Sequence, residues 1–594
     1  MLRALGWVGA VFVCGMPTAQ AREWLPNHAV HAAPSTFGAD SDASSDADSQ
    51  EVYLAQAASA APDSAVSTPA STPTAATPSS PLPTLAALEA AGAVIGEIRI
   101  NTQNIFDPED PRERAFLYRW ANALHIKTRP SIIEHALLFQ KGEKLSVKRI
   151  EETERLLRTN AFIYDVNIQP VAYRDGVVDI EVKTFDTWSL TASVNLSRAG
   201  GSNTTGLKFQ ERNFLGTGLS LGLSSSSNAD RKGTEFEVTH RHLLGNWTEI
   251  GYKKGSYDDG SSQAFTFARP FYALDTRWAA SFSTSSEDSR ISSYSAGVLA
   301  DQHQRKQKKA EVFGGWSRGL VDGWTQRYYL GVKLQDDSYS LAPNVASPTL
   351  PADQRLVTPY LRLDVVQDDF EKLSNLNQVG RAEYLPNGFA LQTQLGRSFT
   401  ALGSTRNLWD YEAQVSDGNM FLGNQLLASA AIKGQYGDGR SEHQVLSMSA
   451  KYYVTHNAHR RLYIGASGSV TSSADAIDQL QLGGDNGLRG YPLRYQNGQR
   501  RSLLTVEERF YSDAFLWRLF RVGGAVFYDV GRAWGGPNQS KTNAGWLSDA
   551  GFGLRFFSVR SAKSAVLHVD FAFPLQRDPA IKPFQLLVQT KTSF

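Results

Sequence analysis

Few residues in this chain have types and spacing that could do chemistry. Gly218-Leu219-Ser220-Leu221-Gly222 has the G-x-S-x-G spacing of a nucleophile elbow, which would make Ser220 an acyl-transfer nucleophile. That chemistry needs a strand, a strained turn and then a helix, so that the hydroxyl faces an oxyanion hole. Here Leu219 and Leu221 alternate with Ser220 and Gly222 as a strand does, and no helical pattern follows. Ser220 is therefore expected on the polar face of a strand. His456 and His459, in Thr455-His456-Asn457-Ala458-His459, fall at an expected turn and read as solvated rather than metal-bound. No phosphate loop or metal cluster stands out. The chain is expected to be no enzyme and to need no cofactor.

One arginine and two carboxylates are better placed. Arg489 lies in Gly483-Gly484-Asp485-Asn486-Gly487-Leu488-Arg489-Gly490-Tyr491-Pro492, a glycine-rich loop. In Gly524–Gly531, period two puts Ala525, Phe527, Asp529 and Gly531 on one face, opposite Val526, Tyr528 and Val530. In Leu503–Phe510, Glu507 shares the polar face with Thr505 and Arg509. Glu508 falls on the apolar side of that strand. A buried guanidinium requires carboxylate or carbonyl partners, so Asp529 and Glu507 are the candidate partners of Arg489.

The elements that would position these residues are strands. From Thr187 to Phe594 apolar and polar residues alternate repeatedly. Trp188, Leu190, Ala192, Val194 and Leu196 alternate with Ser189, Thr191, Ser193, Asn195 and Ser197 in the first strand, Thr187–Ser197. The pattern returns at Ala565, Leu567, Val569, Phe571 and Phe573. A soluble sandwich shows the same local alternation. A long uninterrupted series on a secreted chain favours an all-β, antiparallel transmembrane barrel with a lipid-facing outside. Turns at Phe214–Gly218, Leu243–Asn246 and Pro270–Asp275 are short, whereas Glu287–Lys306, Ser338–Gln354 and Ser472–Gln499 read as long polar loops on the other side. Counting hairpins so that every long loop faces outward gives about twenty strands. The segments near 286–308 and 366–388 are ambiguous in this count.

Composition agrees with this class. The 594 residues carry 60 basic and 59 acidic side chains, which gives no electrostatic reason to expect nucleic acid. Aromatics at 11%, 49 glycines and a mean hydropathy of −0.32 fit short strands with polar inner faces better than a helical membrane protein. Residues 1–21 read as a secretory signal, with Arg3, the apolar run 4–13 and an Ala19-Gln20-Ala21 cleavage site. The only cysteine, Cys14, would leave with it, so the mature chain can enter an oxidising compartment without a thiol to mispair. Residues 22–92, rich in Ala, Ser, Pro, Asp and Thr, read as a disordered tether.

Residues 93–186 read as a small α+β domain ahead of the barrel at 187–594. Ile98 and Ile100 mark a strand, and Phe116, Trp120 and Leu124 mark one face of a helix at Arg112–His125. Pro130-Ser131-Ile132-Ile133-Glu134 reads as a helix start with a capping box. A further helix, Leu145–Asn160, buries Val147, Ile150 and Leu157, and strands Tyr164–Val171 and Val177–Thr184 close the domain around a turn at Arg174-Asp175-Gly176. The order over Arg129–Leu190 resembles a POTRA domain, with Arg112–His125 as an insertion. A plain α+β spacer would read the same way, and both readings stand. A POTRA domain would offer a sheet edge to an extended client or to a periplasmic or inner-membrane partner.

The motif Leu488-Arg489-Gly490-Tyr491, the strand Gly524–Gly531 and the turn Gln210–Gly218 (QERNFLGTG) together resemble the BamA/TamA-like outer-membrane assembly and two-partner secretion superfamily. The resemblance runs from Arg129 to the last residue. It implies sixteen strands, a third loop from the C-terminus folded back into the lumen, and Arg489 held there by Asp529 and Glu507. Glu508 departs from the family, which usually has an apolar residue at that position. Phe584, Leu586, Val588 and Phe594 on the last strand (Phe584–Phe594) resemble the C-terminal recognition signal of outer-membrane barrels. The resemblance further implies a protein of the outer-membrane bilayer, its small domain in the periplasm, that inserts or translocates client polypeptides through a seam between its first and last strands. The Arg489–Asp529 pair would stiffen the wall opposite that seam. The alternatives are a passive pore or surface-structural barrel, and a two-partner secretion transporter for one dedicated partner.

Overall fold

The computed structural model describes residues 82–591, apart from 107–108, 110, 112–115, 200, 296–297, 344–349, 375, 377–381, 473–478, 517–519, 537–544, 559–565 and 580. The expected signal, Cys14, nearly all of the expected tether and Phe594 lie outside the described residues.

The small domain is built from α1 (Leu85–Ala90), β1 (Val94–Gln103), α2 (Phe116–Leu124), α3 (Pro130–Glu134), α4 (Val147–Arg158), β2 (Ile163–Arg174) and β3 (Val177–Asp186). Its sheet has the order β1-β3-β2, with β1 parallel and β2 antiparallel to the central β3. Central β3 alternates cleanly, burying Val178, Ile180 and Val182 against Ile150, Leu156 and Leu157 of α4. The element order is the expected one, with two local differences. No side chain caps α3, whose N-cap is Arg129, so the expected capping box is absent. The Phe116, Trp120 and Leu124 face of α2 is exposed rather than packed.

Twenty antiparallel strands, from Leu190–Ala199 to Gln585–Lys591, form a closed barrel. The number is that of the hairpin count, not the sixteen of the family resemblance. The ambiguous stretch near 286–308 lengthens two strands without adding to their number. It is no loop but the top of a tall hairpin, Trp278–Ser295 with Val298–Val321. A membrane crossing needs only about 9–11 residues of strand. Such strands therefore run well beyond the apolar layer, where both faces are free to be polar, and that erased the alternation. The stretch near 366–388 instead forms a side hairpin, Phe370–Ser374 with Ala382–Pro386, outside the barrel ladder. The first barrel strand starts at Leu190 rather than Thr187. Among the described residues no helix is long and apolar enough to cross a membrane; the crossing is made by strands.

Outward positions such as Leu330, Leu361, Val526 and Phe552 are exposed apolar residues, while the intervening Phe527 and Asp529 are buried. Glu508 does lie on the outward face, but near the barrel end that meets the small domain. There it accepts a hydrogen bond from Arg460 Nε at 2.6 Å. A charged pair at that depth sits beyond the apolar belt, which accounts for the departure.

The small domain packs against the short turns at one end of the barrel. Arg129 N donates to Gly216 O at 3.0 Å and Arg129 Nε to Leu215 O at 3.2 Å. Gly216 has φ +72°, and a Cβ there would lie 2.4 Å from Lys127 O, so only glycine allows this approach. Asp186, at the end of β3, accepts from Thr128 N, Thr128 Oγ1 and His125 Nε2 at 2.7–2.9 Å. Trp247 and Ala273, on later turns, join the domain's own apolar core. Glu152 of α4 accepts from Leu274 N at 2.8 Å, and Arg155 stacks over Phe370 of the side hairpin at 4.1 Å.

Candidate functional site

The third loop from the C-terminus leaves the strand Arg460–Thr471 at the end opposite the small domain. It contains a short ladder, Leu480–Leu482 with Gln496–Gly498, and then turns tightly. Asn486 Oδ1 accepts from Gly483 N at 2.7 Å, and Leu488 N donates to Gly483 O at 3.0 Å. The turn buries Leu488 and Tyr491 completely, among Leu482, Tyr495, Ala533 and Leu547. Gly490 presses on the wall. A Cβ there would lie 2.8 Å from Asp549 Cβ and 3.0 Å from Pro574 N.

This seating delivers Arg489 to the inner faces of adjoining strands. Its Nε donates to Asp529 Oδ2 at 2.7 Å and Nη2 to Asp529 Oδ1 at 3.1 Å, a two-pronged pairing. Nη1 donates to Glu507 Oε2 at 3.0 Å, and the guanidinium lies 3.4 Å over the Phe527 ring. Tyr491 Oη donates to Ser548 O at 3.0 Å and to Gln576. The structure thus brings together Leu488, Arg489, Gly490, Tyr491, Asp529 and Glu507.

Sequence reasoning missed the rest of this cluster. Arg509 Nε donates to Glu507 Oε1 at 2.9 Å, and Arg555 Nη1 to Asp570 Oδ1 at 2.5 Å. Asp570 also lies 3.7 Å from Arg489. Asp549 sits directly opposite Asp529 in the ladder and is fully buried, with the backbone of Gly490 against it. Four carboxylates therefore share the wall with three guanidiniums. The signal was present in the sequence: each charge occupies an inward position of a period-two strand. The alternation says which face, but not which strands stand side by side.

The wall that carries the cluster flanks the seam rather than opposing it. Glu507 and Asp529 lie on Arg500–Leu516 and Phe520–Trp534, the fifth and fourth strands from the end. In a twenty-strand barrel the opposite wall is near the tenth strand, so the expected placement of the lock is corrected.

The seam itself is sparse. Every residue from Leu190 to Ala199 pairs with the second strand, and every residue from Val566 to Ala572 pairs with the last. Between the last strand and the first, among the described residues, only Val588 faces Arg198. Leu586 and Val588 pair with Phe571 and Val569 on the other side, so that edge is secure. Phe584 falls just before the last strand, which starts at Gln585, and its ring stands 6.5 Å from that of Phe573. A small cleft behind the seam is lined by Ser197 and Ala199, by Gln589, and by Asp485 and Leu493 of the inward loop. On the far side of the seam, Arg494 of the same loop pairs with Asp230, between the third and fourth strands, at 2.8 Å.

Ser220 lies inside the strand Leu219–Ser227, where its Oγ accepts from Gln210 Nε2 at 3.4 Å, and the next element is another strand. His456 and His459 flank a turn, 3.7 Å from Glu508 and Asp513 respectively.

Fold and site together define a transmembrane β-barrel with a small α/β domain at one end and an inward loop pinned by a buried arginine. No protein-family model matches the chain, and no curated protein matches it either. Among solved structures, it is similar to BamA from Haemophilus ducreyi lacking POTRA domains 1–3, at 14% identity over 84% of this chain and 85% of that one, with a TM-score of 0.39. It is also similar to CdiB from Acinetobacter baumannii, at 13% identity over 84% and 74% with a TM-score of 0.40. CdiB from Escherichia coli shows 12% identity over 84% and 76% with a TM-score of 0.44. At these values the likeness transfers no activity from any of them to this chain.

Proposed function

We propose that this protein sits in the bacterial outer membrane, its small domain in the periplasm, and inserts or translocates client polypeptides through its seam. The observation that carries the reading is the contrast at the seam. Two fully laddered hairpins meet there through Val588 and Arg198, while the inward loop spans the gap behind them. Among the described residues, every other pair of neighbouring barrel strands is joined by at least seven paired residues. A strand edge left open in lipid has unsatisfied N–H and C=O groups, and a client strand satisfies them one for one. The bilayer then supplies the drive for the client's apolar face. The small domain, packed on the barrel's turns, would receive clients as a POTRA domain does.

The test is a disulfide across the seam, Arg198→Cys with Val588→Cys, in a chain whose Cys14 is replaced by serine. Oxidation is expected to stop client assembly or export, and reduction to restore it. Full function with the seam locked would refute the lateral route. A locked barrel that still conducts ions and shows no client defect would identify a passive pore instead.

A further inference from the structure

One face of the small domain is apolar and uncovered. Phe116, Trp120 and Leu124, spaced four apart on α2, are 73%, 54% and 55% exposed, and Ile126 follows at 52%. The helix is not loosely attached. On its other side Asn122 accepts from Phe106 N at 3.1 Å and donates to Phe106 O at 2.8 Å, and the Tyr118 ring stands 4.6 Å from that of Phe106. His125 Nε2, just past its end, holds Asp186 at 2.9 Å. These contacts fix the rotation of the helix and turn its apolar stripe away from the domain.

The C-terminal end of the stripe lies close to the turn between the barrel's second and third strands. Three residues after Leu124, the carbonyl of Lys127 packs on Gly216, and Arg129 bonds to Leu215 and Gly216. Three residues of chain reach at most about 11 Å. The same turn carries Phe214 and Leu215, both exposed, below the outward residues Leu190, Leu207 and Phe209 of the first two strands. The Leu124–Ile126 end of the stripe therefore lies within reach of the turn that carries Phe214 and Leu215. From Phe116 to Arg129 the chain has Arg119, Lys127 and Arg129, all exposed, and no acidic residue. An amphipathic helix with aromatic residues on one face and cations beside it has the chemistry of an interfacial anchor.

We propose that α2 lies in the periplasmic leaflet of the membrane, with Phe116, Trp120, Leu124 and Ile126 among the upper acyl chains. Arg119 meets lipid phosphates, with the positive charge of Lys127 and Arg129 close by. The anchor holds the small domain beneath the first strand, at the foot of the seam. This inference rests on the reading of the barrel as membrane-embedded, and the experiment separates the two.

Single cysteines are placed in the full chain with Cys14 replaced by serine, labelled with bimane, and reconstituted into phosphatidylcholine–phosphatidylglycerol vesicles with brominated acyl chains. Leu330→Cys reports the barrel belt, Trp120→Cys and Phe116→Cys report α2, and Asp175→Cys reports the turn at the other end of the domain. Quenching of both α2 labels by several-fold over unbrominated vesicles, approaching that at position 330 and absent at 175, is the expected result. Quenching at 330 but not at 116 or 120 overturns the anchor and leaves the embedded barrel standing. If the α2 labels are open to aqueous iodide and become shielded only when an unfolded client is added, the stripe is a client surface and the anchor is again overturned. No quenching at 330 removes the membrane reading, and the anchor with it.

Discussion

Arg494 and Asp230 are separated by 264 residues of chain, yet they meet in a forked ion pair across the barrel's weakest junction. Arg494 belongs to the loop whose Arg489 is fastened to the C-terminal strands, and Asp230 belongs to the N-terminal strands. One loop thus grips both sides of the seam, so the seam is closed less by its own ladder than by a strap behind it.

Cutting one end of the strap should loosen the seam. Asp230→Asn is expected to cost about 1.5–3 kcal/mol, the range for hydrogen bonds to a charged group. Arg494→Gln in addition should cost less than the two single changes summed. The midpoint of heat-induced mobility change on gels, in a double-mutant cycle, measures this coupling; strict additivity would show that the pair does not hold the seam.

Within the lumen the carboxylates should not be equivalent. Asp529→Asn and Glu507→Gln leave Arg489 buried and under-compensated, a change typically worth about 3–5 kcal/mol. Asp549→Asn replaces a buried carboxyl that faces another carboxyl, Asp529, and should be neutral or stabilising. Thermal midpoints in detergent check the order, and a large loss with Asp549→Asn would contradict it.

Arg489→Lys is expected to fail although charge is kept, because a lysine cannot reproduce the two-pronged contact with Asp529 while also reaching Glu507. Gly490→Ala should fail for a different reason, with a methyl group driven into Asp549 and Pro574 at an overpacking cost of about 1–3 kcal/mol. Both should expose the loop to added protease in intact cells. Continued protection in either variant would argue against the seating described.

The contact between domain and barrel should depend on pH through Glu152. Burial between α4 and the Leu274 turn raises its carboxyl above the ordinary 4.5, and the Leu274 N–H and Arg155 offset this only in part. A raised folded-state value means that the protonated form is the better bound. The stabilisation is then complete below pH 4.5 and fades as pH rises through the raised value. Limited proteolysis of the domain should therefore be faster at pH 8 than at pH 5, and Glu152→Gln should abolish the difference. An unchanged pH dependence in Glu152→Gln would assign it to another group.

Sequence alone determined the quantities that depend on near neighbours in the chain. Period two fixed which side of each strand Asp529, Glu507 and even Glu508 occupy, because adjacent side chains on a strand must point oppositely. The hairpin count gave the strand number more reliably than family resemblance did. The glycine-rich loop announced a tight turn, though not what its Gly490 would touch. Only the tertiary structure decided the rest. Which inward charges share a wall depends on the stagger between strands, so the part played by Asp549, Asp570, Arg509 and Arg555 stayed out of sight. The grip of Arg494 on Asp230 depends on closure of the barrel, which brings the two ends of the chain together. Phe116, Trp120 and Leu124 show the limit best: spacing makes them one face of a helix, but whether that face meets a core or a bilayer is set by its surroundings.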